Sequence, residues 1–173
     1  MTPSTAISFC ALFISALALL SSWGIWRRTH RPIVTVSVET VSASSEGTAL
    51  KLVVRNIGNR PAKDVQLTVD ADTLNPMLVK DATDPLTVGV RRCFTPESTI
   101  PLLLPTVSIE CSFGFLARGK PQSTWREQTN LPIRFCYRDL ETNQMFRRNV
   151  NLRIADNTSF TGSMWGKTTV STS

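Results

Sequence analysis

The sequence predicts an all-β domain, a sandwich of seven to eight antiparallel strands, preceded by one transmembrane α-helix. Three observations lead to this prediction. Residues 1–26 contain no charged side chain, apolar and polar residues alternate in short segments after Pro32, and Gly, Asn and Pro separate those segments. Such alternation is typical of strands that face a core on one side and solvent on the other. A chain of 173 residues has room for one such domain.

The predicted helix is the apolar segment Ala6–Trp26. As an α-helix it would be roughly 32 Å long, close to the ~30 Å hydrocarbon core of a bilayer. Ser15 and Ser21 fit such a helix because a hydroxyl can donate to a carbonyl one turn earlier. A cleaved signal peptide is the alternative, but the segment Met1–Thr5 has no charged side chain and no Ala-x-Ala site closes the apolar run.

The residues that flank this segment predict its orientation. Trp23 and Trp26 suit the headgroup layer, and Arg27, Arg28 and Arg31 follow directly. Arginines beside a span favour the cytoplasmic side, so we expect a single-pass protein with its C-terminal domain in the cytoplasm and the lipid bilayer as a partner. The predicted organisation is an anchor with its basic flank at 1–31, a sandwich at 32–154 and a disordered tail at 155–173. The tail holds a possible short motif at Ser163–Gly166 and an Asn157-Thr158-Ser159 glycosylation pattern.

Period-two alternation defines the strands of the predicted sandwich. Within each predicted strand, the apolar residues at every second position are expected to face the core. Ile100–Leu104, which contains Pro101, is predicted to be an eighth or edge strand because proline cannot donate to a central ladder. The other predicted strands are Ile33–Val41, Ala49–Ile57, Lys63–Asp70, Leu86–Val90, Val107–Phe115, Leu131–Arg138 and Met145–Ile154.

Two segments resemble bacterial immunoglobulin-like modules of the adhesion-related, CARDB-like type. The first is Leu52–Val65, a strand followed by Asn56-Ile57-Gly58, Pro61-Ala62 and a second strand; the other is the hairpin from Phe135–Asp139 to Met145-Phe146. Together they cover about a quarter of the chain. The resemblance implies an immunoglobulin-like fold without catalytic activity, and it supplies no ligand site. Members of that family are mostly displayed outside the cell, whereas the arginine flank predicts the opposite side.

Charged and nucleophilic residues give no catalytic or cofactor pattern. The net charge is +6, but Arg27, Arg28 and Arg31 account for half of the excess, so the sequence does not predict a nucleic-acid partner. His30 is a juxtamembrane residue. The Cys93, Cys111 and Cys136 spacing indicates neither zinc nor a disulfide framework, although one bridge with a free thiol also fits. Arg91-Arg92 and Arg147-Arg148 would form a basic stripe only if their strands adjoin, and solvated strand faces explain them more simply. Four aspartates could hold calcium, although loop turns explain them more simply: Asp70, Asp72, Asp81 and Asp84.

These features predict a membrane-anchored immunoglobulin-like domain that binds a protein partner and is not an enzyme. Exposed sheet edges and loops would provide the contact. An outward-facing structural or adhesive module of the cell envelope is the alternative.

Overall fold

The computed structural model describes residues 3–44, 46–79, 83–117 and 122–155. For residues 3–7, 9, 10, 27 and 28 it describes the backbone alone. Asp81, the glycosylation pattern at Asn157 and the predicted tail motif lie outside the described residues.

Within these described residues, one helix precedes seven strands arranged in two antiparallel sheets. The first sheet has the order β1-β2-β5, and the second has the order β4-β3-β6-β7. A two-layer sandwich is therefore confirmed. The helices and strands are α1 (Pro3–Thr29), β1 (Val34–Ser44), β2 (Gly47–Asn56), β3 (Ala62–Thr68), α2 (Ala71–Leu74), α3 (Pro85–Arg92), β4 (Ile100–Leu103), β5 (Ser108–Leu116), β6 (Thr129–Asp139) and β7 (Met145–Ile154).

The core lies between the sheets, where the predicted inward residues of several strands meet. On β6, all four predicted residues are buried: Leu131, Ile133, Phe135 and Tyr137. The predicted edge strand is β4, which pairs with β3 alone. Trp125 was not predicted as a core residue, yet it is fully buried against Phe113, with ring centroids 4.8 Å apart. Its indole N–H donates to the Phe113 carbonyl, which satisfies the only polar atom of the ring.

The strand predicted at Leu86–Val90 is wrong, because this segment belongs to helix α3. Asp84 caps the helix by accepting hydrogen bonds from the backbone of Leu86 and Thr87, and Pro85 occupies the first turn. Aspartate at the N-cap and proline in the first turn both favour the start of a helix. Thr87 and Val90, three residues apart, are buried on one helical face, a spacing that strand alternation had concealed.

The predicted inward face of β5 is wrong at its C-terminal end. Phe113 is fully buried, and Ile109 lies on the inward side opposite Val54 although it is 41% exposed on this edge strand. At the far end Leu116, not Phe115, is buried. A register shift against β2 lies at this point, and Gly114 adopts φ +89° there. Such a bulge inserts one residue and exchanges inward and outward positions beyond it.

Helix α1 extends beyond both ends of the predicted Ala6–Trp26 segment. Within it, Ser15 donates to the carbonyl of Ala11 and Ser21 to that of Ala18, both at 2.9 Å, as expected. The described side chains of α1 run unbroken only from Ala11 to Trp26, and over the described residues no helix is long and apolar enough to cross a bilayer. The helix at this position is confirmed, and its crossing of a membrane stays a prediction.

Candidate functional site

The connection between α1 and the sandwich is fixed by the fully buried Asn56 at the end of β2. Its side-chain oxygen accepts from the backbone N–H of Ile33 at 3.2 Å and of Gly58 at 3.0 Å. Its side-chain nitrogen donates to the carbonyls of Arg60 at 2.7 Å and Leu103 at 3.1 Å. One amide thus joins the segment after α1, the β2–β3 turn and β4. The resemblance to an Asn-x-Gly turn identified this residue, but its role as a buried hub was not predicted.

Gly58 and Tyr137 hold the same segment from two sides. A Cβ at Gly58 would lie 2.4 Å from both the carbonyl oxygen of Arg31 and the nitrogen of Ile33, so only glycine allows this approach. The hydroxyl of Tyr137 donates to the Pro32 carbonyl at 3.3 Å. Residues 31–33 are therefore packed against the sandwich and do not form a free linker.

Arg60 connects the end of α1 to the β6–β7 hairpin. Its guanidinium carbon lies 5.7 Å from the centroid of the Trp26 ring, a cation–π contact. The same group lies 3.5 Å from the buried carboxylate of Asp139 and also pairs with Glu141. Asp139 in turn accepts from the backbone N–H groups of Glu141 and Thr142. This hairpin is consequently the end of the sandwich nearest to α1.

The predicted flank residues gather at this junction. Trp23 stacks on Trp26, and Trp26 stacks on His30, with ring centroids 5.6 Å and 4.9 Å apart. With half-buried Arg31 and Arg60 they line a cleft of about 540 Å³. The side chains of Arg27 and Arg28 lie outside the described residues. The sequence placed these residue types at the end of the helix but did not reveal their contact with Arg60.

The outer surface of the first sheet carries matched charges, and we call it the paired face: Glu39, Lys51, Arg55 and Glu110. The Lys51 ammonium donates to the Glu110 carboxylate at 2.9 Å and lies 3.6 Å from the Glu39 carboxylate. The Arg55 guanidinium lies 3.8 Å from the same Glu39 carboxylate. The hydrogen bond to Glu110 is the main cause that raises the pKa of Lys51. Val53, between the cations on β2, is only 1% exposed. The two cations and two anions leave this surface with no net charge.

The outer surface of the second sheet carries an excess of cations, and we call it the basic face: Lys63, Arg134, Arg138, Arg147 and Arg153. One exposed carboxylate, that of Asp64, lies beside Gln66 and Arg138 at its β3 side, so cations still outnumber anions. Register places Arg138 opposite Lys63, Arg134 opposite Asn149, and Asn130 opposite Arg153. Asn149, Asn151 and Gln66 fill positions between them. No ion pair among the described residues includes a member of this face. The arrangement is a cationic surface with amide groups that can donate and accept hydrogen bonds.

The basic stripe considered for two pairs of arginines does not form, because the pairs do not lie on adjoining strands. Arg91 and Arg92 lie in the last turn of α3, where cations favour the helix dipole, and not on a strand. Arg147 belongs to the basic face. Arg148 is the register partner of the inward Phe135, so it points inward, and it stays exposed at the edge of the sheet. An inward-pointing charge on an edge strand opposes pairing with another chain.

Two of the aspartates considered for calcium, Asp70 and Asp84, cap helices. Asp70 accepts from the backbone of Asp72 at the start of α2, and Asp84 caps α3. Among the described residues no group of three or more His, Cys, Asp or Glu side chains could hold a metal ion. Loop aspartates commonly have this backbone role.

Comparison with known proteins gives a family without an assigned function. No curated protein matches the chain, and no solved structure matches it. The model of a domain of unknown function, DUF8453, matches residues 4–157, which include the whole sandwich and all of α1 except its first residue. The chain therefore belongs to the DUF8453 family.

Proposed function

We propose that this chain is a single-pass membrane protein whose immunoglobulin-like sandwich binds an acidic protein partner through the basic face. The domain acts by recognition and not by catalysis. The observation that carries the proposal is the difference between the two outer surfaces, since one is neutralised within the chain and the other is not.

The apolar surface of α1 supports the anchor. Its described large side chains point to all sides and remain 51–72% exposed, because the sandwich covers none of them: Leu12, Phe13, Ile14, Leu17, Leu19 and Leu20. A helix that is apolar all round requires an apolar environment. The residues at its end are of types that suit the headgroup layer of a bilayer: Trp23, Trp26, His30 and Arg31. Arg27, Arg28 and Arg31 favour a cytoplasmic sandwich.

The strand order supports an immunoglobulin-like sandwich. In the constant-type immunoglobulin fold, strands one, two, five and four form one sheet, and strands three, six and seven form the other. This chain has the same partition except that β4 lies at the edge of the second sheet, beside β3. The residues that carry the CARDB-like resemblance form β2, β3 and the β6–β7 hairpin.

The chemistry of the basic face favours carboxylates as its ligands. Guanidinium groups bind carboxylates in a bidentate manner, and uncompensated charge speeds association with an oppositely charged surface. The neighbouring amides of Asn149, Asn151 and Gln66 suit hydrogen bonds to a polypeptide backbone or to polar side chains. An acidic segment of another protein satisfies both requirements.

The position of the basic face relative to α1 favours a protein over the bilayer that holds the anchor. Arg60 joins α1 to the Asp139 end of β6, whereas Asn130 and Arg153 pair at the opposite end. Nine residue steps of β6 separate Asp139 from Asn130, about 30 Å. The rigid connection through Asn56 holds this distance. The far half of the face is thus placed to meet a partner beyond the headgroup layer.

Photo-crosslinking in intact cells tests the partner. A photoreactive amino acid is placed at Asn149 on the basic face or at Ser37 on the paired face, both outward strand positions. We expect crosslinks from position 149 to a protein segment rich in Asp and Glu, and none to that protein from position 37. Crosslinks from position 149 to lipid or nucleic acid alone, or equal protein crosslinks from both positions, would overturn the proposal.

A protease-accessibility assay tests the orientation. With a tag after Ser173, we expect the tag to be protected in intact cells and digested after permeabilisation. Digestion in intact cells would instead support the outward-facing structural or adhesive module. Extraction of the chain by alkaline carbonate would contradict the anchor.

A further inference from the structure

We propose that Cys93 and Cys111 form a redox-reactive dithiol that closes to a disulfide by exchange with a low-molecular-weight disulfide such as oxidised glutathione. Their sulfur atoms lie 2.9 Å apart, and both residues are half-buried. This inference is independent of the proposed membrane anchor and of the basic face. The sequence left one bridge among these cysteines open, but it did not identify the pair.

The fold brings the two cysteines together from different elements. Cys93 is the C-cap residue of α3, and Cys111 lies on β5, against which α3 packs. A disulfide bond is about 2.04 Å long, so the sulfurs need to approach by less than about 1 Å. Cys136 lies on the outward side of β6, opposite Gln66, and belongs to neither element. The arrangement therefore selects one pair among the three described cysteines.

Reagents can reach this pair because it borders an open cleft. The cleft has a volume of about 330 Å³ and lies between α3 and the edges of both sheets. Arg92 and Glu110 are charged residues of its lining. The rest of the lining is largely apolar and includes Leu52, Val54, Leu67, Ile100 and Ile109. A small disulfide can enter from solvent and contact a sulfur without unfolding of the core.

The two thiols differ in their readiness to react. The two sulfurs share a hydrogen bond, which raises the pKa of Cys93 and is the main cause that lowers the pKa of Cys111. The backbone N–H of Leu52 also lowers the pKa of Cys111, against the opposing effect of burial. Thiolate is the attacking form, so Cys111 is the first nucleophile.

The exchange proceeds in two balanced steps. Cys111 loses its proton to solvent, and its thiolate attacks one sulfur of oxidised glutathione; the S–S bond of the reagent breaks, and one glutathione leaves and takes up a proton. Cys93 then loses its proton and attacks the Cys111 sulfur of the mixed disulfide, which releases the second glutathione. Two protein thiols are oxidised, and one disulfide is reduced to two glutathione thiols.

The test uses the full chain in detergent with Cys10→Ser and Cys136→Ser, so that only the pair remains. After equilibration with oxidised glutathione, we expect the intact mass to fall by two hydrogens. The segment between the cysteines contains Glu97 and Glu110, so cleavage after Glu should yield separate peptides joined by the Cys93–Cys111 bond. Thiols that stay reduced in excess reagent, or that each carry a separate glutathione, would overturn the proposal.

Single variants in the same background test the order of attack. With Cys93→Ser, we expect a stable glutathione adduct on Cys111. With Cys111→Ser, we expect Cys93 to react about tenfold more slowly than Cys111 does in Cys93→Ser. Acid quenching of the unsubstituted pair at early times gives a second measurement that does not depend on the folding of a variant. An early adduct on Cys93 in place of Cys111 would contradict the assignment.

Discussion

The two outer faces of the sandwich have the same strand geometry and opposite electrostatic organisation. On the paired face, Lys51 and Arg55 of the central strand β2 meet Glu39 and Glu110 of the strands on either side. On the basic face, the central strand β6 and its neighbours carry arginines opposite asparagine, cysteine and lysine. Cross-strand partners of opposite charge stabilise a sheet, whereas uncompensated charge is left for another molecule. This contrast is the basis of our proposal that the basic face binds a partner.

Both faces depend on one scaffold, and substitution of Asn56 should disturb them together. In Asn56→Ala, two backbone N–H groups and two carbonyls lose their partners in a buried site. Each unsatisfied buried group costs about 1–3 kcal/mol, and partial relaxation of the surrounding structure keeps the cost near the lower value. We therefore expect the free energy of unfolding to fall by about 4 kcal/mol.

Denaturant unfolding of the full chain in detergent measures this loss. Asn151→Ala, an exposed substitution on the basic face, is the matched control and should change the free energy by less than about 0.5 kcal/mol. A loss below about 1 kcal/mol in Asn56→Ala would show that the hub does not hold the junction.

Oxidation of the Cys93–Cys111 pair should stiffen the sheet of the paired face alone. The bond would close a loop across 18 residue positions, which by chain-entropy arguments adds about 3 kcal/mol of stability. Hydrogen exchange of reduced and oxidised chain should show added protection in α3 and β5 and little change in β6 and β7. Equal protection of both sheets would show that the faces are mechanically coupled.

Charge reversal on the basic face should abolish recognition while preserving the fold. For Arg134→Glu with Arg147→Glu, we expect photo-crosslinking from position 149 to fall at least about tenfold, because rim and surface charges govern encounter. Both side chains are exposed, so the unfolding free energy should change by no more than about 0.5 kcal/mol. The control is Arg55→Glu on the paired face, which should leave the crosslink unchanged.

The smallest expected effect concerns Lys51 at alkaline pH. Its pKa is raised in the folded state above 10.5, chiefly by the hydrogen bond to Glu110. The stability it contributes should be full below pH 10.5 and be lost as the pH rises through the folded value. Thermal unfolding against pH measures this loss, and Lys51→Met should flatten that part of the profile. An unchanged profile would mean that the paired face is not stabilised by its ion pairs.

The sequence predicted the strands whose alternation is regular and failed where a single residue alters the backbone. Leu131 to Tyr137 alternate without interruption, so the core side of β6 could be read directly. At Gly114 a bulge reverses the pattern, and glycine alone does not reveal which way a strand turns. At Leu86–Val90 the Asp84-Pro85 pair signalled a helix start, and the period-two reading overlooked it.

The candidate sites were harder to predict than the fold because they depend on which strands are neighbours. Arg134 and Arg147 form one surface only through the register of β6 with β7, and Lys63 joins them through β3. The approach of Cys93 to Cys111 required the correct assignment of α3. The contact of Arg60 with Trp26 links residues far apart in the chain, and no local pattern encodes it.

Nuclear magnetic resonance of arginine side chains tests the contrast between the faces most directly. The full chain, in micelles of an uncharged detergent, is titrated with a peptide of ten glutamates while the Nε–H resonances are followed. We predict that Arg134, Arg147 and Arg153 shift with increasing peptide and return at high salt, while Arg55 and Arg60 stay in place. Equal shifts at Arg55, or no shift on the basic face, would contradict the account.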